Sequence, residues 1–213
     1  MRLGINTKYE VFDKTTVYGQ FMIDEFTAKE FFGNKGYWAN KWALQLGVRG
    51  SDLFKVENLN YLAEFNTARP YTYAHFDRIS NYAAMNQPLA HPMGANFKEV
   101  LGILNYSYKR FDLQGQLIYA RYGLDPDGMN YGKDIFKSYN ARVADYGNNI
   151  GQGIKTNLYF AEGRASYLLN PKYNLRLELG GVLRRETNSV KNTNTALFTF
   201  GLRSTFRNLY QDF

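Results

Sequence analysis

The chain contains no cysteine, only five prolines and two histidines, and no apolar stretch of membrane-helix length. Each scarcity excludes something. Without cysteine there is neither a disulfide framework nor a thiolate metal site. Without about 18 consecutive apolar residues there is no membrane-spanning helix. His75 and His91 stand too far apart in sequence to suggest a metal site, and no metal or other cofactor is expected. The net charge of +7 is not gathered into a basic helix or a nucleic-acid-binding motif. That removes nucleic acid as a partner and leaves anionic head groups or an acidic polymer. A secretory signal is not legible near Met1, because Lys8 and Glu10 interrupt what would be its apolar core. A chain that leaves the cytoplasm is therefore expected to carry further sequence upstream.

What the chain has in quantity is alternation. From Tyr173 to Arg184, Tyr173, Leu175, Leu177, Leu179, Gly181 and Leu183 share one parity, while Arg176, Glu178 and Arg184 share the other. Side chains on a strand alternate faces with period two, so one face is apolar and the other charged. About nine such strands can be drawn. The first places Leu3, Ile5, Thr7, Tyr9 and Val11 on the apolar face, and the ninth places Ala196, Phe198, Phe200, Leu202 and Phe206 there. The opposite faces carry both signs of charge, including Arg2, Asp24, Lys41, Glu64, Arg164, Glu178 and Arg203. Pro70, Pro88, Pro92, Pro126 and Pro171 all fall between the proposed strands, as residues that cannot donate to a ladder must.

Connections alternate between short and long. Tight turns are expected near Asp13–Lys14, Phe111–Asp112 and Asn170–Pro171, and long loops near 27–38, 70–97, 125–156 and 187–194. With 17% aromatic residues available for interfacial girdles, these features predict an all-β, antiparallel transmembrane β-barrel. Phe213 would end on the short-turn side. The first strand would then start on the loop side, which leaves the strand count odd and predicts the C-terminal part of a larger barrel. The competing fold is a soluble β-sandwich, which explains the alternation but not the loop asymmetry.

Chemistry is sparse. Ser80, His75 and Asp77 supply the residue types of a hydrolytic triad, but geometry and not co-occurrence defines one, so no catalytic residue is assigned. The run from Asp125 to Gly132 resembles part of a calcium loop. It lacks the late carboxylate, and reads better as a turn rich in Pro, Asp, Gly and Asn. The long loops are aromatic. The first large one interleaves Tyr71, Tyr73, His75, Tyr82 and His91 with Arg69, Arg78 and Gln87; the second holds Tyr131, Tyr139 and Arg142. Flat rings beside planar hydrogen-bonding groups suit sugars, and Arg suits the carboxylates of acidic sugars. These eleven residues are the candidate ligand-binding set. The alternative is that the aromatics pack the loops into a cap over the barrel.

The loops also carry a likeness. The run Arg69-Pro-Tyr-Thr-Tyr-Ala-His-Phe-Asp77, then Asn81-Tyr82, then Asn86-Gln-Pro-Leu-Ala-His-Pro-Met-Gly-Ala-Asn-Phe-Lys-Glu99 resembles the Wzi-type capsule assembly family. The likeness is to its Bacteroidetes gliding-motility branch, which contains RemB. Tyr37-Trp-Ala-Asn-Lys41, Gly132-Lys-Asp-Ile-Phe-Lys-Ser-Tyr-Asn140 and the ending Tyr210-Gln-Asp-Phe213 extend it over most of the chain. The resemblance implies an outer-membrane barrel of about eighteen strands, of which this chain supplies about nine. It also implies a non-enzymatic surface lectin that holds capsular or exopolysaccharide, or supports gliding motility, in the bacterial outer membrane. Implied partners are surface polysaccharide, outer-membrane lipid and protein partners in motility or secretion. Rival readings are a porin or transporter with an open lumen, an accessory protein that binds other proteins through the loops, and, last, a hydrolase.

Overall fold

A computed structural model describes residues 2–33 and 35–205. It contains one nine-stranded antiparallel sheet in which sequence neighbours are spatial neighbours throughout. The strands are β1 (Leu3–Phe12), β2 (Thr15–Glu25), β3 (Lys41–Gly50), β4 (Leu59–Ala68), β5 (Phe97–Tyr108), β6 (Phe111–Leu124), β7 (Ile154–Asn170), β8 (Leu175–Thr187) and β9 (Asn192–Arg203). The sheet is open, with β1 and β9 as its edges. Among the described residues no helix is long and apolar enough to cross a membrane. Phe206 and the terminal run Tyr210–Phe213, which the sequence places in and after the last strand, lie outside the described residues.

Register shows why the alternation produces this sheet. Cross-strand partners share a face, and Ala63, Gly102, Leu117, Ala161, Leu183 and Ala196 line up across six strands. This is the bare face of the sheet. Leu117 is 67% exposed there, Leu183 63% and Phe200 69%. A contiguous apolar surface of this kind marks an interaction face. A hollow of about 790 Å³ on this face is lined mainly by apolar side chains such as Val100, Leu117 and Tyr159.

The opposite face is charged at one end and capped at the other. Between β6 and β9, Arg164 pairs with Glu162 and Glu178, Arg203 with Glu178, and Arg176 with Asp112. At the other end the connections 26–40, 69–96 and 125–153 fold over the sheet. The small core sits under them: Tyr73, Ala95 and Ile135 from the loops pack on Ala43, Ala68, Phe97, Ala120, Tyr122 and Leu158 from the strands. All three loops leave the same end of the sheet, and the connections at the other end are short.

Three connections differ from the sequence reading. The β5–β6 turn is Lys109–Arg110, because Lys109 adopts a left-handed φ of 54° and Phe111 already pairs with Tyr108. The connection near 187–194 shrinks to residues 188–191, because Asn192 and Thr193 extend the ladder by pairing with Thr187 and Glu186. Pro88 lies in a two-residue ladder, Ala83–Ala84 with Gln87–Pro88, rather than in irregular chain.

Candidate functional site

The three loops are stitched to one another by backbone. Trp38 N donates to Asp145 O at 2.9 Å, Gly147 N to Lys35 O at 2.8 Å and Asn148 N to Gly36 O at 2.9 Å. Tyr71 N donates to Gly132 O at 3.0 Å, and Asn96 Nδ2 reaches Gln152 O at 3.0 Å. Arg69 donates to the carbonyls of Tyr37 and Asn148, so a guanidinium expected to face ligand clamps two loops instead. Asp125 accepts from the backbone N–H groups of Tyr131, Lys133 and Asp134. Its carboxylate organises the turn, a role that competes with holding a cation.

Burial sorts the candidate residues. Tyr71 has no exposed surface, its hydroxyl donates to Asn130 O at 2.9 Å, and burial pushes its ionisation up to about 12. Tyr73 is 5% exposed and stacks on Tyr82 at 5.9 Å. The rings of Tyr71 and Tyr73 therefore pack the cap and cannot stack on a ligand. Gln87 is exposed, and the side chain of Arg78 lies outside the described residues. Tyr131 is half-buried and its carbonyl accepts from Gln152 Nε2 at 2.7 Å. His91 receives the Met93 N–H on Nδ1, which leaves Nε2 to donate to Glu99 at 3.0 Å. This arrangement fixes the tautomer and assigns the ring to holding Glu99.

His75 does not meet Ser80 or Asp77 in any hydrogen bond among the described residues. Its Nε2 lies 3.9 Å from Glu25 Oε1 and its ring 5.7 Å from Tyr139. Asp77 instead accepts from the N–H of Ile79. Two polar atoms here, His75 Nδ1 and Asn81 Nδ2, are buried without a partner among the described residues.

What remains accessible converges on Trp38. Its ring lies 4.7 Å from Tyr139 and 6.0 Å from Tyr37, and Tyr37 in turn lies 5.3 Å from the exposed Tyr146. The Arg142 guanidinium sits 4.3 Å over Trp38 and donates to Asp145. From below, the buried Lys41 ammonium lies 4.4 Å over Tyr139 and pairs with Glu25 at 3.0 Å. Burial, with Glu25 adding repulsion, raises the Tyr139 ionisation, so its hydroxyl stays neutral and able to donate. The patch thus presents aromatic faces, a fixed guanidinium and carboxylates within one surface. Of the expected set it unites His75, Tyr139 and Arg142. Trp38, Tyr37 and Glu25, which belong to the patch, are not in the sequence-derived ligand-binding set. A Tyr-Trp pair inside a polar loop was the available signal for the first two. No family model, curated protein or solved structure matches this chain.

Proposed function

We propose that this chain forms part of an outer-membrane β-barrel whose external loop cap binds surface polysaccharide, in capsule assembly or gliding motility. The observation that carries the reading is the half-buried Trp38–Tyr139–Arg142 patch at the loop end of a sheet whose bare face is apolar. Aromatic rings stack on the C–H faces of sugars, and a positioned guanidinium binds carboxylates through paired hydrogen bonds.

The bare face supports the membrane half of the proposal. Its apolar rows run between two sets of aromatics: Tyr108, Phe111 and Tyr167 at the turn end, and Phe65, Tyr119 and Tyr159 toward the loops. Phe111 and Tyr119 lie eight positions apart on one strand, about 27 Å along its length and about 20 Å after the usual tilt. An outer-membrane barrel carries an apolar band of about 25 Å between aromatic girdles. The next row toward the loops is charged, with Lys98 and Arg121 as partners, as expected where lipid gives way to head groups. The resemblance to the Wzi-type family supplies the polysaccharide and the cellular setting.

Deleting the gene in its host and measuring cell-attached against released polysaccharide tests the reading. Release into the medium is expected, reversed by the wild-type gene and not by a Trp38→Ala, Arg142→Gln double variant. Unchanged partitioning on deletion would refute it. Full rescue by a double variant inserted at wild-type level would remove the patch from the function.

A further inference from the structure

Beneath the cap, register aligns Asn6, Gln20, Gln45, Asn66 and Glu99 as direct neighbours on β1 to β5. Adjacent strands lie about 4.8 Å apart, so this row of four amides and a carboxylate spans about 19 Å of the capped face. The 69–96 loop passes above it, and Tyr73, Tyr82, Leu89 and His91 roof a cavity of about 360 Å³ whose floor is the amide row.

The floor is organised for hydrogen bonding. Asn66 Nδ2 donates to Glu99 at 3.0 Å and to Glu64 at 3.3 Å, and Gln45 Nε2 donates to Glu64 at 3.2 Å. Both amides are thereby oriented with their carbonyl oxygens left to accept. The side chains of Asn6 and Gln20 bond to nothing among the described residues. Each free amide offers two donors and one acceptor. Asn66 is 5% exposed and Glu99 5%, so the far end of the row is built into the fold and is not an incidental surface. No lysine or arginine is among the described residues lining the cavity; the Glu64 and Glu99 carboxylates stand just behind it, bonded to the lining amides of Gln45 and Asn66, and the Arg2 guanidinium beside Tyr82 is paired with Asp24.

We propose that this cavity is a binding site for an uncharged sugar segment, separate from the patch at the loop tips. Sugar hydroxyls both donate and accept, which amides match group for group. Acidic sugars are disfavoured by the Glu64 and Glu99 carboxylates bonded to the lining amides. The volume lies in the range of small-ligand pockets.

The test is calorimetric titration of maltohexaose, cellohexaose and an oligogalacturonate into the full chain, held in a sugar-free zwitterionic detergent. At least one neutral hexasaccharide is expected to bind, with the oligogalacturonate unable to displace it. Gln20→Leu keeps the side-chain length and, because Gln20 has no partner among the described residues, is expected to leave thermal unfolding unchanged. It should weaken neutral binding about tenfold, the consequence of one unmade hydrogen bond. Asn6→Ala serves the same purpose if Gln20→Leu alters unfolding. Trp38→Ala should leave this affinity unchanged, so failure at the loop tips and failure in the cavity are read separately. The proposal is overturned if neither neutral hexasaccharide binds, if both amide variants bind as wild type, or if the acidic oligomer displaces the neutral one.

Discussion

Lys133 shows how the cap holds a charge where few are tolerated. Its ammonium donates to the carbonyl of Met93 and lies 4.6 Å over Tyr122 and 5.7 Å over Phe97. Burial depresses its ionisation to about 8, against the opposing pull of Asp125 and Glu186. Below that pH folded and unfolded chains are both protonated, and the cap bears the full cost of the enclosed cation. Between about 8 and about 10.4 the unfolded chain holds a proton that the folded cap has released, so stability rises with pH across this window. The gain is about 2–3 kcal/mol at most. Thermal unfolding followed by Trp38 fluorescence should shift upward from pH 7.5 to 10, and Lys133→Met should flatten the profile. A wild-type midpoint that stays level or falls would contradict this account. The same loop explains what composition could not separate. Tyr71 and Tyr146 are both loop tyrosines beside polar neighbours, yet one is fully buried and the other exposed. Only the folding of one loop onto another decides which ring faces inward, and no local pattern encodes that.

At the scale of elements, period-two alternation made the strands legible because each strand has one apolar face and one polar face. Strand faces follow from that parity alone, and register confirms them from β1 to β9. The ends of strands were less legible. Thr187 to Asn194 is rich in Asn and Ser, which favour turns, and half of it nonetheless extends a ladder because the partner strand is already in place. The short backbone ladder between residues 35–38 and 145–148 has no sequence signature except a glycine. Gly36 adopts φ +66°, and a Cβ there would lie 2.7 Å from Asn148 N. Gly36→Ala is therefore expected to destabilise this ladder by about 1–3 kcal/mol. Amide exchange at Trp38 and Asn148 should accelerate at least tenfold while the central strands β5 to β8 stay protected. Exchange that is unchanged at Trp38, or accelerated equally everywhere, would show that the ladder does not form a separate unit.

For the whole molecule, the decisive property is parity. Successive antiparallel pairings reverse direction at every step, so β1 and β9 of a nine-stranded meander run the same way. Joining them directly would create a parallel pair in an otherwise antiparallel sheet, whereas bacterial outer-membrane barrels are antiparallel with an even strand count. On the barrel reading, then, the two edges face strands other than these nine, and the number added is odd. The absence of cysteine makes a direct test clean. A cysteine pair at Gly180 and Thr199 is the positive control, because these residues are register partners and their Cβ positions lie 4.0 Å apart, within disulfide range. Lys8→Cys combined in turn with Thr195→Cys and Thr199→Cys probes direct closure of β1 on β9 from the same face. Under oxidation in membranes the control should cross-link within one chain and neither probe pair should. Efficient intrachain cross-linking of a probe pair would mean that the nine strands close on themselves, and the larger antiparallel barrel would have to be abandoned.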